Sequence, residues 1–189
     1  DPEGFRPDRL KVMLSGSSAG GIGAQFNYHY VLDDLRWTHT TLVPDSSLGA
    51  DNGVGATLQR GAIVMGATTP GWGGEPYAPP YCHDVACGEG WNHFLFAMAP
   101  RLKATPEQQV LSVTNQLDAT QRSVGQFSNN AHFINTVRTK YCEQRGTNGL
   151  HSWLDDTQPQ VHGNINDNQR YNGADVGGVL LRDFLGQAM

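Results

Sequence analysis

The stretch Leu14-Ser15-Gly16-Ser17-Ser18-Ala19-Gly20-Gly21 constrains this chain more than any other. Gly16-Ser17-Ser18-Ala19-Gly20 fits the pattern Gly-x-Ser-x-Gly, in which a serine sits on a strained turn between a strand and a helix, with small neighbours that keep clear of it. The flanks suit that geometry. Leu10 to Leu14 reads as a short strand, and Gly20 to Arg36 reads as the following helix, with Ile22, Phe26, Tyr30, Val31 and Leu35 at helical spacing. Ala19 and Gly21 add two small residues that let the helix begin close to the strand. Ser18 is therefore the candidate nucleophile.

Beyond this helix the chain has the rhythm of an α/β domain. Thr40 to Val43 predicts a second strand, closed by Pro44-Asp45-Ser46-Ser47, and a strand-helix-strand unit of this kind builds a mostly parallel sheet flanked by helices. Val110 to Thr114 predicts another strand and Ala131 to Glu143 a helix. Gly146 to Gly149 predicts a turn into Leu150-His151-Ser152-Trp153-Leu154, and Val176 to Gln187 a closing helix. Between these lies an insertion over residues 49–90, rich in glycine, proline and aromatic residues, followed by a predicted helix from Trp91 to Leu102. A loop of that length suits a lid or substrate wall, and Trp72 and Trp91 are its candidate substrate-binding residues, with self-burial of the loop as the other reading. The 189 residues are expected to form one domain, 1–189.

Composition narrows the function classes. A net charge of -5, with 16% charged residues and no basic run, offers nothing to neutralise phosphates, so nucleic acid is not an expected partner. No apolar run approaches the ~20 residues of a membrane span. The proline-rich start, Asp1 to Pro7, does not read as a leader, so any export signal is expected upstream of it. Cys82 and Cys87 flank a loop, His83 to Ala86, whose length allows a disulfide; a bridge from Cys142, or to a segment outside this chain, competes with it. His83 and His93 lack the paired spacing of zinc modules, and neither metal nor cofactor is expected.

A serine hydroxyl needs a base to take its proton and an acid to orient that base. In α/β-hydrolases these occur in the order Ser, Asp or Glu, His, with acid and base on loops after the later strands. Ser18, Asp118 and His151 keep that order. Asp45, which also ends a strand, is the alternative acid, and His162 is the reserve base. Asp155 and Asp156 follow His151 and are expected to cap or solvate the next turn. The Ala19 backbone N–H, next after the nucleophile, is one oxyanion donor. The second normally comes from a loop before the elbow, and its strands are expected outside this chain.

Those residues also carry a family likeness. Leu14 to Gly23, with Asn27 and Asp33, resembles the elbow and helix of the pectin acetylesterase and Notum family of carboxylesterases. Val43-Pro44-Asp45-Ser46 is similar to its strand ending in an Ala-Asp-Ser or Ala-Asp-Ala turn, and Gln116 to Gln121 to its Phe-Asp-x-x-Gln acid motif. Leu150 to Leu154 resembles its histidine turn, and Gly178 to Leu185 the short helix that ends bacterial members. The resemblance implies an α/β-hydrolase-like fold without metal, a triad of Ser18, Asp118 and His151, and an exported, disulfide-containing protein, secreted or periplasmic. It further implies removal of short acyl groups, chiefly acetyl, from a saccharide. Hydrolysis of a polyester or lipid by the same triad, and a non-catalytic binding module of the same fold, are the other expectations. Two departures stand out: the family's Gly-Trp oxyanion loop is missing, which leaves an upstream polypeptide as a possible source of it, and Leu117 replaces the usual aromatic.

Overall fold

The computed structural model describes residues 10–47, 107–125, 127–144, 146, 149–156, 162–173 and 175–187. Within them the order is β1 (Lys11–Ser17), α1 (Ala19–Asp33), β2 (His39–Asp45), β3 (Gln108–Asn115), α2 (Ala119–Val124), α3 (Asn130–Gln144), β4 (Leu150–Asp155), α4 (Asn168–Gly173), β5 (Asp175–Val176), β6 (Val179–Leu180) and α5 (Leu181–Gly186). The insertion at 49–90 with Trp72, Cys82 and Cys87, and the helix predicted from Trp91, lie outside the described residues.

Strands β1 to β4 form one open sheet in chain order, every neighbouring pair parallel. The register runs Leu14 beside Leu42, Leu42 beside Val110 and Val110 beside Leu150. A parallel sheet is covered on both faces, so its inner strands should read as continuous buried runs, not as alternating ones. They do: Thr40 to Asp45 and Val110 to Asn115 are buried throughout, whereas β1 alternates between exposed and half-buried positions.

Alternate residues of the sheet serve two apolar clusters. On one side Ala24 and Tyr28 of α1 and Phe133, Val137 and Tyr141 of α3 pack on Leu42, Val110 and Leu150. On the other, Leu181, Phe184 and Leu185 of α5 pack on Val43, Leu111, Val113 and Trp153. Each Val, Leu or Phe side chain among them contributes about 1.5–3 kcal/mol on burial. No helix among the described residues is long and apolar enough to cross a membrane.

Two local expectations are corrected. The closing helix predicted over Val176 to Gln187 is a small antiparallel hairpin, β5 with β6, followed by the short α5. Gly177 and Gly178 break the helix, since both hold left-handed backbone (φ 62° and 83°), which glycine adopts freely. The histidine turn that the family resemblance implies for Leu150 to Leu154 is instead the strand β4.

Two buried tyrosines tie the helices to the sheet. The Tyr28 hydroxyl lies 2.9 Å from Thr40 Oγ1 and 3.2 Å from the carbonyls of Thr40 and Gln109; that of Tyr141 lies 3.1 Å from Ser112 Oγ. Burial pushes both phenols up to about 12, because the phenolate would lose its hydration. The folded state thus holds these protons more tightly than the unfolded chain. Stability is fully present below the unfolded value near 10 and falls as pH rises toward 12, by at most about 1.4 kcal/mol per unit for each tyrosine. Urea unfolding between about pH 9 and pH 11 should show this decline, and the Tyr28→Phe/Tyr141→Phe variant should flatten it. An equally steep decline in the variant would contradict the assignment.

Candidate active site

Ser18 stands between β1 and α1 with φ 56° and ψ -125°, a conformation that a residue with a side chain holds only when its surroundings impose it. Its N–H donates to the Asp45 carbonyl at 2.9 Å, and its carbonyl accepts from Gly21 N at 3.0 Å and Ile22 N at 3.2 Å. The strand and helix approach so closely that a Cβ on Gly16 would stand 2.2 Å from the Gly20 carbonyl oxygen, and one on Gly21 would stand 2.2 Å from Ser47 Oγ. A Cβ on Gly20 would meet nothing within 4 Å. The glycines that the turn requires are therefore Gly16 and Gly21, and the second glycine of the Gly-x-Ser-x-Gly pattern is not one of them. Ser18 is half-buried and Ala19 exposed. As the first residue of α1, Ala19 has an N–H among the helix donors that have no partner one turn back.

Asp118 follows the end of β3 and caps α2. Its Oδ1 accepts from the Gln121 N–H at 2.9 Å and its Oδ2 from Gln121 Nε2 at 2.8 Å. The same Oδ2 lies 2.8 Å from an imidazole nitrogen, and that ring belongs to His162. The carboxylate is wholly buried and the imidazole one quarter exposed. Its other nitrogen, Nε2, is buried with no hydrogen-bond partner among the described residues. With Nδ1 donating to the carboxylate, Nε2 is left as the proton acceptor, the tautomer a general base requires.

His151 is not brought to Asp118. It is the second residue of β4, solvent-exposed and in register with Leu111, four residues short of Asn115 at the end of β3. At about 3.3 Å per residue that leaves it about 13 Å from the sheet edge where Asp118 sits. The chain order Ser, Asp, His fits 151 and 162 equally. What separates them is place in the fold: His151 lies within the strand β4, while a base in this arrangement comes from a turn beyond one.

Asp45, the alternative acid, meets no imidazole among the described residues. Fully buried at the end of β2, it accepts from Ser46 Oγ at 3.0 Å, Asn164 Nδ2 at 3.1 Å and the Ile165 N–H at 2.9 Å. Ser46, at φ 52°, accepts in turn from the Gly163 N–H at 2.9 Å and Asn164 Nδ2 at 3.3 Å. Gly163 holds φ 91°, and a Cβ there would stand 2.9 Å from Ser17 Oγ. The segment after His162 is thus seated on the turn after β2 and against the residue that precedes Ser18.

Asp155 is not solvated. It is fully buried at the end of β4, where it accepts from Arg170 Nη1 at 2.9 Å and Asn115 Nδ2 at 2.8 Å, fastening α4 to the sheet edge. Cys142, on α3, is exposed and forms no disulfide among the described residues. Trp72, Trp91 and the Cys82–Cys87 pair lie outside the described residues. Among the described residues, no three His, Cys, Asp or Glu side chains are grouped to hold a metal ion. No family model matches this chain, and no curated protein matches it.

The glycine geometry yields a stability test. Gly20→Ala should be tolerated, with a gain of up to about 1 kcal/mol from helix propensity, while Gly21→Ala should cost about 1–3 kcal/mol through overpacking against Ser47 and Gly16. Chemical denaturation of the two variants checks this. Equal effects would contradict the close approach.

Proposed function

We propose that this protein is a serine carboxylesterase with an α/β-hydrolase-like site in which Ser18 is the nucleophile, His162 the base and Asp118 the orienting acid. The observation that carries the proposal is the 2.8 Å contact between His162 Nδ1 and the buried Asp118 carboxylate, at the sheet edge where Ser18 is held in a strained turn. His151 is replaced as base because it sits within a strand, away from the acid.

In the proposed reaction His162 Nε2 takes the Ser18 hydroxyl proton as Oγ attacks the ester carbonyl carbon. Asp118 stabilises the imidazolium and keeps the ring in its tautomer. The Ala19 N–H donates to the developing oxyanion. The tetrahedral intermediate collapses as the C–O bond to the alcohol breaks and the imidazolium hands its proton to the leaving oxygen, which gives an acyl-enzyme. Water, deprotonated by the same imidazole, then releases the carboxylic acid and restores Ser18. The resemblance of residues 14–23 and 116–121 to pectin acetylesterases and Notum favours a short acyl group, acetyl first, on a saccharide.

Turnover of p-nitrophenyl acetate tests the assignment. Ser18→Ala and His162→Gln should each lower kcat by about 10³-fold or more, while His151→Gln should leave it unchanged. A fluorophosphonate should label Ser18 and fail to label Ser18→Ala. Full activity in Ser18→Ala, or a loss confined to His151→Gln, would refute the proposal.

A further inference from the structure

We infer that Asp45 is a positioning residue that fixes the base relative to the nucleophile without touching either reacting group. The inference rests on the esterase reading for its catalytic meaning and on the hydrogen-bond geometry for its physical content.

A buried carboxylate is costly unless its lone pairs are satisfied. The donors that the described residues offer Asp45 are all neutral: one is the adjacent Ser46 hydroxyl, and the other two come from Asn164 and Ile165. Ser46 extends the contact by accepting from Gly163. Three consecutive residues after His162 are therefore pinned by one buried carboxylate and its neighbour. With the backbone of 163–165 fixed, the imidazole retains only its own side-chain torsions, and the bond to Asp118 sets those. The Asp45 main-chain carbonyl meanwhile receives the Ser18 N–H. One residue thus grips the elbow through its backbone and the histidine loop through its side chain.

That arrangement also explains why an acidic residue at the end of β2 looks, by sequence, like a second candidate for the orienting acid. Its carboxylate faces hydroxyl, amide and main-chain donors, so it can hold a loop but does not share a proton with the ring. A misplacement of the base by about 1 Å is enough to cost about 100-fold in rate. Because the base acts only in the transition state, such a loss falls on kcat and leaves KM alone.

The test uses Asp45→Ala and the reciprocal exchange Asp45→Asn/Asn164→Asp, which swaps donor and acceptor across one contact while Ile165 keeps an acceptor. Asp45→Ala should lower kcat for p-nitrophenyl acetate about 100-fold, with KM changed by no more than about twofold. Its Gly163 and Ile165 amides should exchange hydrogen faster. The exchange variant should recover kcat to within about tenfold of the parent, with both amides protected again. A folded Asp45→Ala with parental kcat, or with unchanged exchange at Ile165, would overturn the inference. Should Asp45→Ala fail to fold, the exchange variant decides: near-parental kcat with protected amides supports the inference, and a 100-fold loss at an unchanged melting temperature overturns it. If the parent shows no turnover that depends on Ser18, the esterase reading fails by itself, and amide exchange alone judges whether Asp45 holds the loop.

Discussion

Four strands that all run the same way, in chain order, send every strand-following turn to one edge of the sheet. Parallel strands need crossovers, and each crossover returns the chain to the opposite edge before the next strand begins. The carboxyl edge therefore collects Ser18 after β1, Asp45 at the end of β2, Asp118 after β3, and Asp155 and His162 at and beyond the end of β4. Residues far apart in sequence meet there because topology leaves them nowhere else to go. This is also the edge at which open α/β sheets bind ligands.

The same edge concentrates cost. Asp45, Asp118 and Asp155 are all fully buried, and each is satisfied differently. Asp155 has a cation, Arg170. Asp118 has an imidazole on one oxygen and the first turn of α2 behind it. Asp45 has hydroxyl, amide and main-chain donors. Removing one partner from such a group leaves a buried charge that no solvent reaches, so each fixes the segment that serves it. The apolar clusters on the two faces of the sheet offset that cost. Ser18 shows the same economy in its backbone: the conformation is unfavourable by itself and persists because Asp45, Gly21 and Ile22 bind both of its peptide groups.

Much of this was legible from residues alone. Small residues around Ser18 predict a turn too tight for side chains, and the β-branched and aliphatic runs Thr40 to Val43 and Val110 to Thr114 predict strands. Three features were hidden, each for a physical reason. His151 follows a glycine turn, and a short strand cannot be told from a turn by composition when two adjacent residues, His151 and Ser152, are both polar and exposed. The end of the chain has helical spacing in Val179, Leu180, Phe184 and Leu185, and only the left-handed pair Gly177-Gly178 converts its first part into a hairpin. The roles of Asp45 and Asp155 depend on partners 119 or 120 and 15 residues away, which no local pattern encodes. Gly20 and Gly21 illustrate a subtler limit: the motif names the first, and close packing needs the second.

The pairing of Asp118 with His162 is the claim on which the chemistry turns, and the proton between them reports it directly. In proton spectra of the folded protein at neutral pH, the imidazole Hδ1 held by a buried carboxylate should appear as a strongly deshielded resonance. This signal should survive in His151→Gln and disappear in both His162→Gln and Asp118→Asn. A resonance that vanishes in His151→Gln and persists in His162→Gln would contradict the pairing.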